Sequence, residues 1–144
     1  MRAIPDELGF LVRERLDHLR SITRHVTELL LPDAADETTL HGTSFYQSAL
    51  RRVTGPQVFT LENDPENRHD RYAVKVLLAG QQVGFLPKEI ARPYNTIVIA
   101  NANRKVWTVV RGEVGEFADG GKWVSVVLPV LAAAKALAES LNGQ

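Results

Sequence analysis

The stretch KVWTVVRGEVGEFADGGKWVSVVLPV (105–130) constrains this chain more than any other. Two long runs rich in valine and aromatic residues, Lys105 to Phe117 and Lys122 to Val130, flank Ala118-Asp119-Gly120-Gly121. Such runs fit a pleated, half-buried surface, and an Asp-Gly turn between them marks a hairpin. A hairpin this long commits the chain to an antiparallel sheet. It also creates long edges of unpaired backbone N–H and C=O groups, which invite aggregation unless they are covered.

More strands lie upstream to cover them. Thr39 to Tyr46, Gln57 to Glu62 and Tyr72 to Leu78 each read as extended. Ala79-Gly80 then forms a tight turn into Gln81 to Leu86, a second hairpin. Ser48 to Arg52 reads as a short helical turn that stops at Gly55-Pro56. Pro87 opens PKEIARPYNTIVIANAN as a helix, with an interruption expected at Pro93. Five or six strands with one short helix make the inventory of a small, partly open barrel. With 144 residues, 44% of them hydrophobic, one core of this kind can form without staples.

Helices flank the barrel. Val12, Leu19, Ile22, Val26 and Leu29 recur at three–four spacing, joined by Leu8, Leu16 and Leu30, which predicts a helix over 6–31. Its apolar stripe packs either on the barrel or on a second copy of itself, so a homodimer through the N-terminal helix is a live expectation. PDAADETT (32–39) has the composition of a linker, and LAAAKALAES (131–140) is an alanine-rich helix. The organisation expected is therefore 1–37 helix and linker, 38–130 barrel, and 131–144 C-terminal helix.

Catalytic patterns are scarce. There is no glycine-rich phosphate loop and no Gly-x-Ser-x-Gly elbow. The histidines His18 and His25 are spaced too loosely for a zinc signature, and no cysteine is present to supply thiolates or disulfides. No cofactor is expected and no enzymatic activity. Neither a signal peptide nor a membrane span is legible, so a cytoplasmic protein without membrane attachment is expected.

Charge gives a mild lead. The net charge is zero, but residues 1–40 carry five Lys/Arg against eight Asp/Glu, and residues 41–130 carry eleven against eight. A basic middle favours an anionic partner there, although scattered surface charge reads the same way. Arg51, Arg52, Arg68, Arg71, Lys88 and Arg92 are the cations that could track phosphates. Phe45 and Tyr46 could stack on unpaired bases, with Tyr72, Tyr94, Trp107 and Trp123 as further candidates or as core. Asn67 and Asp70, in a loop before a strand, are equally suited to local turn bonds.

Three segments in order add a resemblance. They are GTSFYQ (42–47), ENDPENRHDRYAVKV (62–76) and QVGFLPKEIA (82–91). Together they resemble the HIRAN domain, found in certain DNA-repair helicases, fused to nucleases, and as stand-alone bacterial proteins. The resemblance implies a mainly β protein with flanking helices, built on a small OB-like β-barrel. It implies binding of single-stranded DNA at 3′-hydroxyl ends, in repair or replication-fork processing, with a helicase or nuclease partner in trans. Carried over, Phe45 and Tyr46 are the stacking pair, and Asp70 meets the terminal hydroxyl with His69 beside it. Lys88 holds a backbone phosphate, and Phe85 lines the pocket. Arg68 and Arg71 flank Asp70 and are expected to keep it ionised. Ser44, His69 and Phe85 stand where helicase members carry arginine, tyrosine and histidine.

Overall fold

The computed structural model describes residues 26–28, 35–105 and 107–142. Its sheet has the strands β1 (Val26–Glu28), β2 (Ala35–Thr39), β3 (Gly55–Asn63), β4 (Val74–Leu78), β5 (Gln81–Phe85), β6 (Trp107–Glu116) and β7 (Lys122–Pro129). Six of them run in the order β2-β7-β6-β3-β4-β5, each antiparallel to its neighbours. The seventh, β1, lies parallel to the start of β6, with Val26 opposite Trp107.

The hairpin forms as the sequence predicts. Glu116 pairs with Lys122, and the turn is closed by Phe117 N–H to Gly121 C=O at 2.7 Å. The Asp119 carboxylate accepts from Gly121 N–H at 2.8 Å, the local bond that makes Asp a turn residue.

The sheet curls until its two edge strands almost meet. Leu40 donates to the Val124 carbonyl at 2.8 Å. One residue later the chain changes partner: His41 and Phe85 exchange two bonds of 2.9 Å. The result is a half-barrel, closed between its edges at a single bridge. Gly84 makes that closure possible. A Cβ there would lie 2.9 Å from the His41 carbonyl oxygen and 3.2 Å from the Leu40 side chain.

Among the described residues, three helices accompany the sheet. The short α1 (Gln47–Leu50) follows a 3-10 turn at Thr43–Tyr46; α2 (Ala91–Asn103) packs against the sheet and against α3 (Leu131–Asn142). The core between helices and sheet includes Phe59, Leu61, Val76, Tyr94, Ile97, Val110, Val126 and Ala134. The alternation of β4, buried at Val74, Val76 and Leu78, presents one face to it.

Several expectations are corrected. Residues 26–28 are strand rather than the end of a helix, and the rest of the expected helix over 6–31, with its dimer, lies outside the described residues. Apolar residues at helical spacing fix a preference, but three residues beside an open β6 edge are held by ladder bonds instead. The linker PDAADETT contributes β2, which pairs with β7 from Ala35 to Thr39. The strand expected over Thr39 to Tyr46 is cut short: Thr39 ends β2 and His41 makes the bridge to Phe85, and the chain then leaves the sheet at Gly42, whose φ of 77° turns it into the 3-10 turn. The helix after Pro87 starts only at Ala91. Pro93 therefore falls in its first turn, where a missing N–H interrupts nothing. No helix among the described residues is long and apolar enough to cross a membrane.

Candidate nucleic-acid interface

The 3-10 turn carries the aromatic pair. Phe45 is 85% exposed, the most open large apolar side chain described. Tyr46 is half-buried and meets Phe85 edge to face, with ring centroids 6.4 Å apart. The turn is anchored at both ends. Phe45 N–H bonds to the Gly42 carbonyl at 3.1 Å. Gln47 clamps the other end: its Nε2 donates to the Lys122 carbonyl at 3.0 Å, and its Oε1 accepts from Lys122 N–H at 2.8 Å. A side-chain amide thus pairs with β7 as a neighbouring strand would. Ser44 is exposed on the same turn.

The loop between β3 and β4 is ordered by asparagine. Asn67 Oδ1 accepts from His69 N–H at 2.9 Å and from Asp70 N–H at 3.1 Å. Asp70 then repeats the device: its Oδ1 accepts from Tyr72 N–H at 2.9 Å. Backbone bonds from Asp64 N–H to Ala73 C=O and from Ala73 N–H to Asp70 C=O close the loop. These are the local turn bonds expected of Asn67 and Asp70. One Asp70 oxygen shapes the turn, and Oδ2 has no hydrogen bond among the described residues. Arg68 and His69 are exposed.

The sheet relates the three sequence segments. Phe85 bridges to His41, just before the 3-10 turn, and pairs with Lys75 of β4. Leu86 N–H bonds to the Val74 carbonyl at 3.0 Å, so the chain running to exposed Lys88 leaves beside the end of the Asp70 loop. Among the described residues, no direct hydrogen bond or ion pair joins Asp70 to Lys88 or to the 3-10 turn.

Arg71 does not pair with Asp70: its Nη2 donates to the Tyr72 hydroxyl at 2.7 Å, with its guanidinium 4.8 Å from the Tyr72 ring centre. Arg92, from the first turn of α2, sits 4.6 Å from the same centre. That convergence was not legible in sequence, because Tyr72 and Arg92 are twenty positions apart. Tyr94 is core rather than platform, its hydroxyl bonded to the Pro129 carbonyl. Burial, with the Asp36 carboxylate as a smaller cause, pushes its pKa from 10.0 up to about 12. Trp107 remains 38% exposed.

A curled antiparallel sheet with an exposed aromatic turn and a carboxylate-bearing loop defines a small β module suited to binding at its surface. The profile of the HIRAN domain matches residues 36–114, more than half of the chain. The chain belongs to the HIRAN domain family, a family of nucleic-acid-binding modules. Among solved structures, the HIRAN domain of human HLTF matches at 22% identity and a TM-score of 0.44, covering 76% of this chain and 88% of that one. No curated protein sequence gives a significant match.

Proposed function

We propose that this chain binds single-stranded DNA and prefers strands that end in a 3′-hydroxyl. The observation that carries the reading is Phe45, an aromatic ring 85% exposed on a turn fixed by Gly42 and Gln47. A large apolar face held in water gains from stacking on a base, typically about 1–3 kcal/mol. Tyr46, the next residue on the same turn, meets Phe85 edge to face and would complete the stacking pair.

Selection for an end needs a group that distinguishes a free hydroxyl from a phosphodiester. A terminal 3′-hydroxyl donates a hydrogen bond, whereas an internal 3′ oxygen has no proton to give. An ionised carboxylate only accepts. In this reading Asp70 Oδ2 accepts from the terminal hydroxyl, while Oδ1 stays in the turn. His69 lies beside the terminal sugar, Ser44 flanks the stacked base, and Lys88 and Arg68 attract the backbone. Ser44 and Phe85 offer fewer polar contacts than arginine and histidine would, so affinity rests more on stacking. The chain acts as a binding module without catalysis of its own, serving a helicase or nuclease in trans at DNA ends.

Fluorescence anisotropy tests this with four oligonucleotides: single strands ending in 3′-hydroxyl and in 3′-phosphate, a duplex, and RNA. The 3′-hydroxyl strand binds tightest, and Asp70→Ala removes most of its advantage over the 3′-phosphate strand. Equal losses on both strands would remove the end-reading role, and no binding to any of the four would overturn the function.

A further inference from the structure

Tyr72 leads from the Asp70 loop into β4 with its ring half-buried. Two guanidinium groups converge on that ring, Arg71 at 4.8 Å and Arg92 at 4.6 Å from its centre. The ring's negative face attracts each cation, but the two repel each other. Glu66, Asp70 and Glu89 are the acidic residues nearest to them in sequence. The ion pairs among the described residues are Lys75–Glu62 and Lys122–Glu116, and neither involves these arginines. Arg92 also occupies the first turn of α2, which holds no acidic residue. A cation at that positive end of a helix is placed against the macrodipole.

Each of these placements costs stability in the free protein, and each changes sign when an anion arrives. Local choices that conflict with stability mark functional positions. We propose that Arg71, Tyr72 and Arg92 form a phosphate clamp, separate from the contact at Lys88. A guanidinium offers a planar fork of donors that matches two phosphate oxygens. Stacking on Tyr72, and the 2.7 Å bond from Arg71 to its hydroxyl, hold these forks in place before binding. Less side-chain freedom is then lost on association. Tyr72 acts as a positioning residue and does not itself touch the ligand.

The ligand chemistry is a phosphate group. Its source is the backbone of the bound strand, because Arg71 directly follows Asp70 in the chain. This choice of source rests on the DNA-binding reading, whereas the phosphate chemistry does not.

Two measurements on the full chain test the clamp, using Arg92→Gln, Tyr72→Phe and Arg92→Lys at surface-accessible positions. In the first, affinity for the 3′-hydroxyl oligonucleotide is followed against salt. Arg92→Gln weakens binding several-fold and flattens the log–log salt slope by about 0.7, the value of one single-strand phosphate contact. The ratio between 3′-hydroxyl and 3′-phosphate strands stays as in the parent. Arg92→Lys keeps the salt slope but loses affinity, and Tyr72→Phe loses affinity by freeing Arg71. An Arg92→Gln protein with parental affinity and slope would overturn the clamp, while leaving end recognition by Asp70 intact.

The second measurement follows the arginine Nε–Hε resonances by NMR as inorganic phosphate replaces chloride at constant ionic strength. Shifts at Arg71 and Arg92 in the parent, with the Arg71 shift lost in Arg92→Gln, support the site. If the parent protein binds no oligonucleotide, the DNA-binding reading fails, and such shifts then assign the clamp to free phosphate groups. No shift in the parent overturns it.

Discussion

Asn67 shows how one side chain can set a loop. Its carbonyl oxygen accepts from two successive backbone N–H groups, those of His69 and Asp70. Asn67→Ala orphans both, at a cost of about 1 kcal/mol in this partly exposed setting. Faster amide exchange at His69 and Asp70 is the expected signature, together with a smaller preference for 3′-hydroxyl strands. Phe45 behaves in the opposite way. Because its ring is in water, Phe45→Ala leaves the melting temperature nearly unchanged but weakens oligonucleotide binding by about 1–3 kcal/mol. Tyr94 gives a prediction about pH. Its folded pKa of about 12 lies above the ordinary 10.0, so its contribution is intact below pH 10 and is lost as pH rises toward 12. Tyr94→Phe removes that alkaline loss in denaturation curves. At neutral pH it costs about 1–3 kcal/mol, because the Pro129 carbonyl loses its partner.

Elements differ in how much of their conformation is local. The β6–β7 hairpin and α3 were legible because their own residues decide them: β-branched runs around Asp-Gly, and an alanine-rich run with strong helix propensity. Residues 35–39 have the composition of a linker, and ADETT lacks an apolar pattern. It is a strand because β7 offers it a ladder, and a side-chain bond from Ser125 Oγ to Glu37 Oε1 at 2.8 Å also ties the two strands. The motif VGFLP (83–87) could be recognised but not explained from sequence. The structure explains its glycine through the close approach of the His41 carbonyl. Gly84→Ala forces β5 away from His41 and costs about 1–3 kcal/mol, in line with overpacking of a tight contact. Amide exchange at His41 and Phe85 should accelerate before the rest of the sheet responds.

At the scale of the whole molecule, a neutral chain presents local positive charge at separate positions on one module. Lys88, Arg68, Arg71 and Arg92 are four cations near the proposed path, so the log–log salt slope for a single strand should be about −3. A flat salt response in the anisotropy titration would count against phosphate contacts altogether. The antiparallel hairpin, the inventory of a small curled sheet, the family pattern, and the cations and aromatics available for binding are all legible in the amino-acid sequence. These follow from propensity, turn chemistry and spacing, which act over a few residues. The folded sheet makes strands of residues 26–28 and 35–39, and brings His41 onto Phe85 to close the half-barrel. It also decides that Arg71 turns from Asp70 to share Tyr72 with Arg92. Those outcomes depend on which edge lies open and which groups meet across the fold, and contacts between residues distant in the chain exist only once the sheet has curled.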